Sequence, residues 1–191
     1  MNTYSSKQEF FLRNLVKGLV WLGIIISLFV ITKHNVDKEL LLKYEHLFDK
    51  TGLILTIFIL SELIIGIIPP ELFLIWSLRS GILTNYIQYA LLLAIISYLA
   101  GLTGFYFGKY LHGTKLYSYL RNKYLVRSEI LLKEYGLYLI LVAALTPVPF
   151  SGVAMLVGAV DYPVKKYFYW SLSRFIKFAF TAYIIWEANM I

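Results

Sequence analysis

The chain has 191 residues, 59% hydrophobic and 15% charged, with a mean hydropathy of +0.69. A soluble domain of this length has too little interior for so much apolar surface, so the composition points to an integral membrane protein in a single domain, 1–191. The absence of cysteine excludes a disulfide framework and a thiolate metal site. The net charge of +7 falls between apolar blocks, where it reads as cytoplasmic loops rather than as a nucleic-acid surface.

Five apolar blocks follow in chain order. The first, Gly18 to Thr32, is uncharged and has no small-x-small cleavage site after it, since Lys33, His34 and Asn35 come next. It reads as a retained membrane helix starting near Phe10, with Arg13 and Lys17 reaching back to the interface. The second block, Thr51 to Leu78, is long enough to span. However, Glu62 and Glu71 divide it into uncharged pieces of 11, 8 and 7 residues, each well short of the ~20 needed to cross a bilayer. Pro69 and Pro70 remove backbone donors between the two acids and push the preceding residue out of the helical region. The expectation is a re-entrant hairpin over 51–80, turning at Ile67–Pro70. Broken backbone at membrane depth survives only inside protein or beside a wet cavity.

The third block, Ser80 to Gly108, has no charge over 29 residues and reads as a spanning helix. Gly101, Gly104 and Gly108 recur near its end at helical spacing and would admit a closely packed partner. The polar segment 109–134 carries six basic residues against two acidic ones. Its apolar face of Leu116, Tyr119, Leu120, Tyr124 and Leu125 predicts an amphipathic helix on the membrane surface. The fourth block, 135–160, is uncharged and interrupted by Pro147 and Pro149, which predicts a second hairpin. The fifth, Pro163 to Trp186, reads as a third spanning helix carrying Arg174 and Lys177.

Blocks two and four repeat one device. Pro70 to Gly81 and Pro147 to Gly158 are each 11 positions, a proline turn leading into a short half-helix that ends at glycine. With the N-terminus and 109–134 placed in the cytoplasm, that side holds eleven basic residues against five outside, which satisfies the positive-inside rule. The hairpins then enter from opposite faces, an inverted repeat of the kind used by alternating-access carriers.

The ordered set SELIIGIIPPELFLIWSLRSG, GLTGFYFGKYLHG and LTPVPFSGVAMLVGA resembles the DedA, or SNARE-associated (VTT-domain), family over roughly residues 55–185. The resemblance implies an all-α membrane fold with three spanning helices, two opposed re-entrant hairpins and a cytoplasmic amphipathic helix. It also implies a multi-pass protein of the inner (plasma) membrane that moves a phosphorylated lipid, such as undecaprenyl phosphate or a phospholipid, with coupling to protons or sodium. The family's hairpin acids match Glu62 and Glu71. Many bacterial members carry arginines where this chain has Ala144 and Phe150, while Arg174 resembles an arginine in the last helix of shorter members.

The cost of a charge at the bilayer centre, ~2.5–3.5 kcal/mol, makes Glu62, Glu71, Arg174 and Lys177 the candidate substrate- or ion-binding residues. Arg79, at the end of a half-helix, joins them. Arg174 has two readings: it pairs with Glu62 or Glu71 to hold hairpin against helix, or it meets substrate. Lys177 lies one turn on and could reach toward the outer face. Pro69, Pro70, Pro147 and Pro149 break the hairpins and open the backbone at the site. His34, His46 and His112 have no metal-ligand spacing, and no phosphate loop, zinc motif or serine elbow is present, so neither a cofactor nor an enzyme is expected. The alternatives are a membrane-embedded lipid phosphatase and a structural membrane partner protein.

Overall fold

The structure, a computed structural model, describes residues 7–35, 50–64, 66, 68–78, 82–114 and 126–190. These residues form helices joined by turns: α1 (Lys7–Asn35), α2 (Thr51–Ile64), α3 (Pro70–Ser77), α4 (Leu83–His112), α5 (Val126–Leu145), α6 (Phe150–Ala159), α7 (Val164–Ser171) and α8 (Ser173–Met190). Among the described residues, two helices are long and apolar enough to cross a membrane, α1 over Gln8–Leu28 and α4. Three were expected. The fifth block falls short because its last helix, α8, carries Arg174, Lys177 and Glu187, and the segment is also interrupted at Leu172. There the backbone stays right-handed, but the Leu172 and Phe175 N–H groups bond three residues back, to Tyr169 and Leu172.

Each proline cluster ends one helix and opens the next. Pro70 and Phe150 are the first residues of α3 and α6, with Pro69 and Pro149 immediately before them. Proline suits such a start, because the first N–H groups of a helix have no intrahelical partner. In the first turn Gly66 takes a left-handed φ of +77°, and its N–H bonds to the Ser61 carbonyl at 2.7 Å. A side chain there would begin 3.6 Å from the Phe150 nitrogen and 3.7 Å from Pro149 Cα, so the two turns lie against each other.

Two apolar clusters build the interior, one around each helix–turn–helix unit. Phe58, Phe73, Leu74, Tyr86, Leu93, Phe178 and Ile185 join α2, α3, α4 and α8. Phe105, Ile140, Ala143, Phe150, Val157, Tyr162 and Tyr167 join α4, α5, α6 and α7. Helix α4 therefore serves both, its first half in one cluster and its second half in the other. Its most extensive neighbour is α6. The glycines explain why: a Cβ on Gly104 would lie 2.8 Å from the Ser151 carbonyl oxygen. One on Gly108 would collide with the Met155 carbonyl, and one on Gly158 with the Phe105 carbonyl. The small-residue row expected at 101–108 is thus a backbone-to-backbone seam.

At the far end of the seam, Lys109 pairs with Asp161 at 3.1 Å, and His112 Nδ1 lies 2.7 Å from the Ala159 carbonyl oxygen. Both cationic-capable side chains stand at the C-terminus of α6, where exposed carbonyls favour them. Helix α1 packs on α5, with Phe10 and Phe11 against Tyr135 and Tyr138 and Gly18 against Thr146. The rest of its apolar surface, including Leu12, Val16, Trp21, Ile24 and Leu28, faces outward, as a lipid-facing helix does.

The surface segment expected at 109–134 is not one element. Residues 109–112 complete α4 and 126–134 begin α5, while 115–125 with the proposed apolar face lie outside the described residues. Helix α5 therefore starts earlier than the block at 135. Charges at 127, 129, 133 and 134 hide its true start from a reading based on apolar runs. Similarly α3 ends at Ser77, short of Gly81, which is not among the described residues.

The seam is testable. Gly158→Ala should cost about 1–3 kcal/mol, since its methyl meets a backbone carbonyl that cannot rotate away. Gly23→Ala, with open space around it, should leave thermal unfolding in detergent unchanged or slightly raised. Equal melting of the two variants would refute the seam.

Candidate functional site

Four charged side chains meet where the two clusters join, and all are essentially withdrawn from solvent: Glu62 (1% exposed), Glu71 (1%), Arg174 (1%) and Lys177 (4%). Burial of a lone charge is costly enough that partners are obligatory, and both pairs are made. Arg174 holds Glu62 with Nη2 at 3.0 Å from Oε1 and 3.4 Å from Oε2. Its Nε donates to Ser97 Oγ at 2.5 Å, and that hydroxyl donates to Glu62 Oε2 at 2.8 Å. Ser97 thus closes a three-membered ring of polar groups from α2, α4 and α8.

The prolines supply further acceptors. In a helix the Ala143 carbonyl would accept from residue 147, but Pro147 has no N–H. Arg174 Nη1 takes that carbonyl at 3.4 Å instead. The Thr146 carbonyl, released where α5 ends, accepts Lys177 Nζ at 3.1 Å. The guanidinium also lies over the Phe150 ring, 4.5 Å from its centroid, and 5.6 Å from that of Phe178.

The second pair is made differently. Lys177 Nζ lies 2.9 Å from Glu71 Oε1, yet neither carboxylate oxygen of Glu71 has an aligned hydrogen bond. Lys177 is the ion-pair partner of Oε1, and Oε2 has no hydrogen-bond partner among the described residues. Other buried side-chain atoms without a hydrogen-bond partner, among the described residues, are Ser151 Oγ, Tyr167 Oη and Thr181 Oγ1. Glu62 is therefore densely satisfied and Glu71 is not.

The expectations for individual residues divide accordingly. Glu62, Glu71 and Arg174 come together, and Arg174 chooses Glu62. Lys177 could have reached toward the outer face. It turns inward instead, because Arg174 and Lys177 are three apart on one helix and share a face with the two acids. Arg79 lies outside the described residues. Pro69, Pro70, Pro147 and Pro149 stand at the two helix breaks as expected. The residues not anticipated are Ser97, Phe150 and the carbonyls of Ala143 and Thr146. Only Ala143 carried a signal, a proline four residues on; Ser97 is one polar residue in an apolar helix. A groove of about 490 Å³ between α4 and α8 is lined by Tyr86, Ala90, Phe178, Ala182 and Trp186 among others and by none of the four buried charges.

A sequence profile of the VTT domain matches residues 68–187, well over half of the chain. The chain belongs to the VTT-domain family. This is the DedA, or SNARE-associated, family, and like its other members this VTT-domain protein is a membrane protein. The match includes Glu71, Ser97, Arg174 and Lys177, whereas Glu62 stands upstream of it. No curated protein and no solved structure matches the chain.

The ring around Arg174 predicts strong coupling. Arg174→Met should lower stability by about 3–5 kcal/mol, because Glu62 is left buried without a counter-charge. Adding Glu62→Gln should recover much of that loss, which melting of both variants in detergent would measure. Simple additivity would mean that the two side chains do not interact.

Proposed function

We propose that this VTT-domain protein is a carrier that moves a phosphorylated lipid across the bilayer, with two oppositely oriented re-entrant hairpins forming the site. The observation that carries the reading is the buried, charge-balanced quartet at the meeting point of the two helix breaks. Charges that served packing alone could be replaced by apolar side chains without loss, whereas a site that exchanges anions needs them.

The geometry supports a division of labour. Arg174 and Glu62, tied to Ser97 and to a helix end, hold the hairpin against α8. Glu71, lacking aligned hydrogen bonds, is the acid that releases its partner at least cost. In the resting quartet two carboxylates balance two cations. A phosphate approaching Lys177 adds negative charge, and a proton on Glu71 restores neutrality. A sodium ion beside Glu71 would balance the charge in the same way. Proton and lipid phosphate thus travel together, because neither charge state is tolerated alone in a dry site. The uncapped N-termini of α3 and α6 add partial positive charge nearby. Phe150, at one of the two positions where many bacterial members carry arginine, lies beneath the Arg174 guanidinium, so α8 supplies the cation that the second hairpin lacks.

The decisive measurement is movement of a labelled polyprenyl phosphate, and separately of a phospholipid, in proteoliposomes with and without a pH gradient. A gradient should accelerate the polyprenyl phosphate in the direction of proton flow. Glu71→Gln should insert and fold normally but lose that acceleration, since the amide keeps the shape and cannot take up a proton. Normal, gradient-driven transport by Glu71→Gln would refute the coupling.

Topology is checked separately. The protein has no cysteine to interfere. Lys50→Cys and Ile82→Cys should both label from outside, and Ser128→Cys only from the cytoplasm. Labelling of positions 50 and 82 from opposite faces would make the first unit a spanning element and remove the inverted repeat.

A further inference from the structure

A half-open cavity is walled by α2, α4 and α6. It measures about 280 Å³ and is lined by Leu63 and Ile64 at the end of α2, by Thr103, Gly104 and Phe107 of α4, and by Ser151, Gly152 and Met155 of α6. Leu63 follows Glu62 of the quartet in sequence, and Ser151 follows Phe150, whose ring lies beneath the Arg174 guanidinium.

The α6 end of this cavity offers donors. Pro149 provides no side-chain cap, and the first backbone bond of the helix runs from Val153 N–H to the Pro149 carbonyl at 3.2 Å. The N–H groups of Phe150, Ser151 and Gly152 precede that bond and have no intrahelical acceptor. Ser151 is 3% exposed, lines the cavity, and its hydroxyl has no hydrogen-bond partner. The other hydroxyl in the lining, Thr103, already donates to the Ala100 carbonyl at 2.7 Å. Ser151 is therefore the lining hydroxyl with a proton to give.

We propose that this cavity is a waiting site for a phosphate monoester, held by the Ser151 hydroxyl and the first N–H groups of α6 before the phosphate reaches Lys177 and Arg174. An uncapped helix start together with an unpaired hydroxyl suits an oxyanion, which accepts from every donor present and brings none of its own. The apolar remainder, Leu63, Ile64, Phe107 and Met155, suits the first carbons of the attached chain. The inference rests on the transport reading and names the step before it.

The test uses the full-length protein in lipid nanodiscs and a long-chain alkyl phosphate carrying a photoreactive diazirine beside the headgroup. Labelling should map to Leu63, Ile64, Phe107 or Met155. The corresponding alkyl alcohol should label these positions about tenfold less, as expected when a charge-assisted hydrogen bond is lost. Ser151→Ala should reduce phosphate labelling several-fold, and Ser151→Glu, which places a carboxylate in the cavity, should abolish it. The conservative alanine variant keeps the test valid if the glutamate variant fails to fold. Competition by inorganic phosphate would identify the free ion as an occupant of the same site; competition only by alkyl phosphate would assign it to lipid. Equal labelling by alcohol and phosphate, or labelling unaffected by Ser151→Ala, overturns the proposal. A protein that transports the lipid but labels elsewhere also overturns it, and leaves the carrier intact. One that labels here but moves no lipid refutes the carrier and leaves the binding site.

Discussion

The rest of the molecule is arranged around the requirement that four buried charges cancel. Glu62 and Glu71 come from the two helices of one helix–turn–helix unit, and Arg174 and Lys177 from one face of α8. None has access to water, so each must be held where its partner is, and the chain between them must bend to allow it. The break between α2 and α3 is what lets two acids nine positions apart face two cations three positions apart. A continuous helix would place Glu62 and Glu71 about 13.5 Å apart along its axis, at 1.5 Å per residue. Cations one turn apart could not serve both.

The same breaks create the polar surroundings of the site. The missing N–H of Pro147 frees the Ala143 carbonyl for Arg174, and the end of α5 leaves the Thr146 carbonyl to Lys177. Opening new helices at Pro70 and Phe150 leaves N–H groups exposed at the opposite polarity. A helix interrupted in this way presents acceptors on one side of the turn and donors on the other. The glycine seam between α4 and α6 holds the second unit rigidly enough for these groups to stay aligned. Rigid attachment on one side and weak hydrogen bonding of Glu71 on the other give the site one firm pair and one loose pair.

Much of this was legible in the sequence, because the underlying signals are local. Apolar runs without charge marked α1 and α4, since a bilayer demands length and hydrophobicity that composition alone reveals. Prolines marked the turns, because a missing N–H ends a helix wherever it falls. Carboxylates and cations inside apolar blocks marked Glu62, Glu71, Arg174 and Lys177, because an intramembrane charge is too costly to be incidental. The glycines at 101, 104 and 108 marked a close approach but not its partner.

What only the tertiary structure decided was which groups meet. Arg174 could have taken either acid, and Lys177 could have reached outward; the packing of α8 against both units brought Arg174 to Glu62 and Lys177 to Glu71. Ser97 entered the site because α4 passes between the two clusters, a position that a single serine in an apolar run does not announce. The kink at Leu172 was likewise invisible, since its residues keep helical dihedrals and only the bond spacing changes. Cost is a property of each residue and can be read along the chain. Partnership is a property of three-dimensional packing and cannot, because residues 112 positions apart leave no local trace of the bond between them.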